Sequence, residues 1–280
     1  MIADYLTRNG IAVLRVDDRG VGETTGEVMT ATSLDFAGDV LVGIDYLKSH
    51  KGINSKKIGL LGHSEGGVIA PLAAVQSADV SYIVSLAGLG VKGMELMQMQ
   101  FKTSYAELKL NEEEIGRADN LIKMLIDLSI QYPDNEELKP IFAKKMQEWL
   151  ENQPETLLVK LGYKGPNANS NIQQLAGRFF MPWTRYFLQY DPATTLGKIK
   201  IPVLALNGEK DIQVSAEENI AGFNKLLTQA GNKNFKTIIL PNLNHFFQHA
   251  KTGKVTEYAI IEETISPEVL SIISKWIKSL

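Results

Sequence analysis

The chain of 280 residues contains no cysteine, which excludes disulfides and thiol chemistry and leaves the redox compartment open. It also lacks an excess of either charge. Lys and Arg number 29 against 32 Asp and Glu, a net charge of −3, with a pI near 5.9. Without a basic run or a high pI there is no electrostatic footprint for nucleic acid. Long hydrophobic runs are missing too. Stretches such as Val80–Val91 fall short of the roughly 18–20 apolar residues that a membrane span needs. The first residues do not read as a signal peptide, since no basic segment precedes an apolar core, and neither an internal repeat nor a low-complexity tract is present. What remains, 44% hydrophobic and 22% charged, is ordinary globular composition in a chain long enough to bury a large core. At about 150 residues per domain it predicts two structural units, or one α/β domain carrying an insertion.

Short apolar runs recur between helical stretches. Ile11–Val16, Lys57–Gly62, Val80–Leu86, Ile201–Leu206 and Thr237–Leu240 read as strands. Ser33–His50, the residues from Ser64 to about Gln76, and Pro267–Leu280 read as helices, the last with Ser266 as N-cap. Such alternation predicts a mostly parallel sheet with helices on both faces. The pattern breaks from about Gly88 to Tyr190, where only helix-period segments occur, with starts at Asn111-Glu112-Glu113-Glu114 and Asp134-Asn135-Glu136-Glu137. The expected organisation is therefore a core of residues 1–87 and 191–280, with 88–190 inserted as a helical cap or lid. Met1–Gly10 reads as the back half of a helix closed by glycine, so the core is expected to be incomplete at its N-terminal side.

Gly62-His63-Ser64-Glu65-Gly66 follows an apolar run and precedes a helix. In that context a G-x-S-x-G sequence is a strained strand-to-helix turn that exposes a serine hydroxyl. The next backbone N–H, that of Glu65, then faces a developing oxyanion. A hydroxyl is a weak nucleophile, so a base and an orienting carboxylate are required. Of the four histidines, His50 precedes the serine, and the His63 side chain is expected to point away from the reacting group. His245, in the loop after the last strand, is the favoured base, ahead of His249. Asp211, in the loop after the strand at Ile201–Leu206, is the favoured acid, with Glu209 in reserve. No Asp or Glu close in sequence completes a metal site around His245 and His249, and neither metal nor cofactor is predicted.

These residues resemble the α/β-hydrolase superfamily, and the chain is most similar to bacterial serine esterases of the prolyl-oligopeptidase-like or dienelactone-hydrolase-like group. The resemblance rests on Asp17-Asp18-Arg19-Gly20-Val21-Gly22, Gly62-His63-Ser64-Glu65-Gly66-Gly67, Asn207-Gly208-Glu209-Lys210-Asp211, Leu243-Asn244-His245-Phe246-Phe247-Gln248 and Glu257-Tyr258. It implies Ser64 as nucleophile, Asp211 as acid, His245 as base, and hydrolysis of a small carboxylic ester without cofactor. It also implies that a further strand lies between Ile11–Val16 and the strand before Ser64, and that the loop after it supplies a second oxyanion donor. Neither is found in this sequence. The alternatives are direct pairing of those two strands, or a partner chain in the gap.

Asp17 and Arg19 read as braces of their turn, and Glu257-Tyr258 as a tie to the histidine loop. Met94, Met97, Trp183 and Phe246 are candidate pocket residues. Three other functions stay open: a peptidase, an acyltransferase, or a catalytically impaired module that binds or forms a homo-oligomer.

Overall fold

The computed structural model describes residues 1–280 as two compact units. One comprises Met1–Val28, Ser33–Val91 and Asp191–Leu280; the other comprises Met29–Thr32 and Lys92–Tyr190. In chain order the elements are α1 (Ile2–Arg8), α2 (Ser33–Ser49), β1 (Gly59–His63), α3 (Gly66–Ala74) and β2 (Tyr82–Leu86), then α4 (Gly93–Glu107), α5 (Glu112–Gln131), α6 (Asn135–Glu151), α7 (Glu155–Lys160), α8 (Ala168–Phe180) and α9 (Pro182–Gln189). The chain closes with β3 (Val203–Gly208), α10 (Ala216–Gln229), β4 (Phe235–Leu240) and α11 (Pro267–Lys278). No helix is long and apolar enough to cross a membrane.

The first unit is built on a four-stranded, all-parallel sheet in the order β1-β2-β3-β4. Successive side chains of a strand point to opposite faces, and here both faces are apolar. Val84, Leu86, Leu204, Leu206 and Leu240 pack with Leu6 of α1 and Val269, Leu270 and Ile273 of α11. Their neighbours Ile83, Val203 and Ala205 face Ile44, Ala70, Ile220, Phe223 and Leu227 of α2, α3 and α10. A parallel strand covered on both faces reads as a continuous hydrophobic run, which is why these strands were visible in the sequence.

Ile11–Val16 corrects the reading. The segment forms no strand and is not paired with β1, whose only neighbour is β2. A groove of about 1470 Å³ is lined on one side by Ile11–Arg19 and on another by Lys57–Leu61. A strand exists by virtue of its ladder, and Ile11–Val16 has no neighbour at bonding distance, despite its β-forming sequence. Val13, Val16 and Leu61 remain exposed there. The Asp-Asp-Arg-Gly turn that follows is anchored to α2: Arg19 Nε donates to Asp39 Oδ2 at 2.8 Å and its Nη2 to Asp39 Oδ1 at 2.7 Å, the forked geometry in which guanidinium binds carboxylate best.

The second unit is helical. Asn111 and Asp134 are the N-caps of α5 and α6, each accepting a backbone N–H from the first turn, Glu114 N at 2.9 Å and Glu136 N at 2.8 Å. Leu121, Leu125 and Ile126 of α5 are fully buried, as are Leu138, Leu157 and Phe179. Met97 is likewise 0% exposed. Leucine-like in volume and free of polar atoms, it is core, and the expectation that it lines a substrate pocket is withdrawn.

Phe223 is the largest side chain on its face of the sheet that is fully buried. Phe223→Ala should destabilise the sheet unit by about 3–5 kcal/mol, read as a lower urea midpoint at an unchanged slope.

Candidate active site

Strand polarity gathers the site. In a parallel sheet every strand ends on the same edge, and Ser64, Asp211 and His245 follow β1, β3 and β4 in turn. Ser64 has φ +55°, a conformation that costs a non-glycine residue on the order of 1–2 kcal/mol. Its N–H donates to Leu86 O at 2.8 Å, and its carbonyl accepts from Gly67 N at 2.9 Å. The turn is tight enough that a side chain at Gly62 would collide with the Gly66 carbonyl, and one at Gly67 with Gly88. Only glycine fits both places. The Glu65 backbone opens α3, while its carboxylate accepts from Ser33 Oγ at 2.7 Å. The side chain is thus occupied in tying the elbow to the start of α2.

The loops after β3 and β4 are laced together. Glu209 N donates to Leu240 O at 2.9 Å, Lys210 N to Leu243 O at 2.8 Å, and Asn242 N to Glu209 Oε2 at 2.8 Å. Glu209, the reserve acid of the sequence reading, therefore caps the histidine loop, whereas Asp211 lies against the histidine itself. Asp211 Oδ2 accepts from His245 Nδ1 at 2.8 Å, and Oδ1 accepts from the backbone N–H groups of Gln213 and Val214 at 2.9 Å each. Both side chains are buried, 0% exposed for Asp211 and 5% for His245. A carboxylate only accepts, so the proton of this bond sits on Nδ1, and Nε2 of the neutral ring is left as an acceptor. That is the tautomer a general base needs.

Asn244, fully buried, organises the loop that presents His245. Its Oδ1 accepts from Phe246 N and Gln248 N at 3.0 Å each, and its Nδ2 donates to Gln248 Oε1 at 2.8 Å. Phe247, at φ +59°, points into the sheet core. His249 has turned elsewhere, its Nδ1 at 2.9 Å from Glu263. Glu257 accepts from the N–H groups of Thr252 and Gly253 at 3.0 Å. Tyr258 Oη accepts from Gln213 Nε2 at 3.0 Å and its ring meets Phe246 at 4.9 Å, linking the segment after the base loop to the acid loop.

Among the expected pocket residues, Phe246 stands beside this histidine, its ring 5.8 Å from that of His245. It is 45% exposed. Met94 and Trp183 belong to the helical unit, where Trp183 stacks on Phe187 at 4.9 Å.

His63 departs from expectation. Its ring does not turn away: it lies 4.7 Å from the His245 ring, stacks on Phe246 at 5.7 Å, and places Nε2 2.8 Å from the His245 carbonyl oxygen. His63 pairs in register with Leu86 and shares its face of the sheet, the face that Phe247 plugs. The histidine loop therefore settles onto it. A sequence signal was available: strand alternation puts residue 63 on the same face as Leu61 and Leu86.

Comparisons with known proteins bear on the fold. A family model described as serine aminopeptidase, S33, matches residues 1–117. The α/β-hydrolase GrgF from Penicillium sp. sh18 matches at a TM-score of 0.54 and 16% identity, covering 99% of this chain and 83% of that one. The chain has the α/β-hydrolase fold. Est1E from Butyrivibrio proteoclasticus, solved with ferulic acid bound, matches at a TM-score of 0.51 and 17% identity, over 99% of this chain and 79% of that one. Esterase EstD of Thermotoga maritima is 22% identical over 276 residues, which are 98% of this chain and 55% of the relative. The chain spans about half the length of the curated relative it matches.

Burial of the His63 imidazole pushes its pKa below the ordinary 6.5. Folded protein then resists a proton that the unfolded chain accepts, so stability falls as pH drops from about 6.5 toward the lowered value. Urea midpoints measured between pH 7 and pH 5 should fall less in His63→Gln than in the parent.

Proposed function

We propose that this α/β-hydrolase is a serine hydrolase that cleaves small carboxylic esters through an acyl-enzyme. The observation that carries the reading is the buried Asp211–His245 bond, which leaves Nε2 as an acceptor in a ring packed on the residue next to Ser64. In this reading Ser64 Oγ attacks the ester carbonyl while His245 Nε2 takes its proton, and Asp211 steadies the imidazolium. The Glu65 N–H, at the start of α3, stabilises the tetrahedral oxyanion. Collapse breaks the C–O bond, and His245 returns the proton to the departing alkoxide. Water, activated by the same base, then attacks the acyl-serine and regenerates the hydroxyl. Phe246 offers an apolar wall beside the base, which favours an ester with a hydrophobic group next to the scissile bond. The esterase relative and the ester-fold neighbours support the same chemistry. A peptidase or acyltransferase would use identical groups and differ in the acceptor or leaving group.

The groove beside β1 favours a second reading. A sheet edge left open next to the nucleophile strand suits a catalytically impaired module that binds or self-associates.

A fluorophosphonate probe separates the two. Stoichiometric labelling, abolished by Ser64→Ala, is expected of the esterase, and a folded chain that takes no label would favour the module. Ester turnover should fall by about 10³-fold or more in Ser64→Ala. Asp211→Asn should cost on the order of 10⁴ in kcat, because the amide stabilises the wrong tautomer of His245, and circular dichroism should show the fold retained.

A further inference from the structure

We propose that His63 is a positioning residue of the reaction, a cross-link from the nucleophile elbow to the main chain of the general base. The inference rests on the reading of Ser64 and His245 given above. A carbonyl oxygen only accepts, so the 2.8 Å contact between His63 Nε2 and His245 O requires a proton on Nε2. His63 is bonded covalently to Ser64, so the path from nucleophile to base runs through one peptide unit and one hydrogen bond, spanning positions 182 residues apart in the chain. The remaining ties on the histidine loop run to β3's loop, to α11's leading residues and to its own asparagine. None of these reaches the elbow. The ring adds a second restraint, since Phe246 stacks on one side of it and Phe247 meets its edge at 6.3 Å. Both aromatic residues follow His245 directly, so any shift of the base must slide them across His63.

The charge of His63 matters as much as its hydrogen bond. The charged or titratable groups that act on it are His245, which disfavours its protonation, and Asp211, which favours it. The other close contacts are phenyl rings. Desolvation keeps His63 neutral where His245 cycles through its imidazolium, so the base gains its proton without a second cation 4.7 Å away. Once His63 is protonated at lower pH, that cation opposes the imidazolium. Acid therefore acts on the site in two ways, by occupying the base and by charging its neighbour.

Two variants test this. His63→Phe keeps a ring in the stack but loses the donor; His63→Gln places an amide N–H near the position of Nε2. Misplacing the base by a fraction of an ångström to 1 Å costs up to about 10²-fold, so His63→Phe should lower kcat for a small ester by roughly 10–100-fold with KM little changed. His63→Gln should recover most of that loss. The acid limb of log(kcat/KM) against pH should steepen beyond a slope of one in the parent and stay at one in His63→Gln. In a Ser64→Ala background, the NMR signal of the His245 Nδ1 proton should move on His63→Phe and return toward its place in His63→Gln. A His63→Phe enzyme with the parent's kcat and acid limb would overturn the proposal, as would a His63→Gln enzyme equally impaired. If the parent neither turns over esters nor labels at Ser64, it is the reading of Ser64 that fails. The Nδ1 signal then decides on His63 alone, and a signal indifferent to His63→Phe overturns the cross-link.

Discussion

The parallel pairing of β3 with β4 is the constraint on which the site depends. It sends two loops off the same sheet edge, and Gly208 lets them touch: a side chain there would collide with the carbonyls of Leu243 and Asn244. Three backbone-linked bonds close the contact, and only then do Asp211 and His245 meet. A carboxylate and an imidazole with almost no solvent around them are costly to bury unless each polar atom finds a partner. The two N–H groups on Oδ1 and the ring N–H on Oδ2 meet that demand. Removing one partner costs more than a surface hydrogen bond would, because the remaining group stays buried and unmatched.

Sequence and structure agree where a single physical rule governs the segment. Strands covered on both faces had to be largely apolar, so β2 and β3 were legible, and helix starts at Asn111 and Asp134 followed from capping chemistry. Ile11–Val16 was misread for a related reason. Its composition suits a strand, yet a strand is defined by its neighbour, and composition carries no information about whether that neighbour is within reach. Met97 shows the same limit at the level of a side chain: a flexible apolar residue serves a core and a pocket equally well, and only burial tells them apart.

At the site, the order Ser64, Asp211, His245 could be argued from spacing, since each residue follows a strand end. The supporting residues could not. Asn244 looks like any loop asparagine until its side chain is seen to accept two backbone N–H groups and to bond Gln248. The preference for Asp211 over Glu209 came from loop position, and three dimensions supply its physical reason. The two stand two residues apart, and the turn after Gly208 sends one toward the ring and the other to the backbone of Asn242.

The nucleophile strand is paired on one side only, and this changes what must hold the elbow. Ser64 is kept at a positive φ, a cost on the order of 1–2 kcal/mol, without a second neighbouring strand to fix the chain before it. Three bonds converge there instead: Ser64 N to Leu86 O at 2.8 Å, Ser33 Oγ to Glu65 at 2.7 Å, and His63 Nε2 to His245 O at 2.8 Å. At about 0.5–1.5 kcal/mol each they are together comparable to the strain or larger. They also divide the work by direction. The first binds the elbow to the sheet and the second to α2, which leaves the third as the tie toward His245. On the open edge, the link from the elbow to His245 is thus carried by a side chain one residue from the hydroxyl.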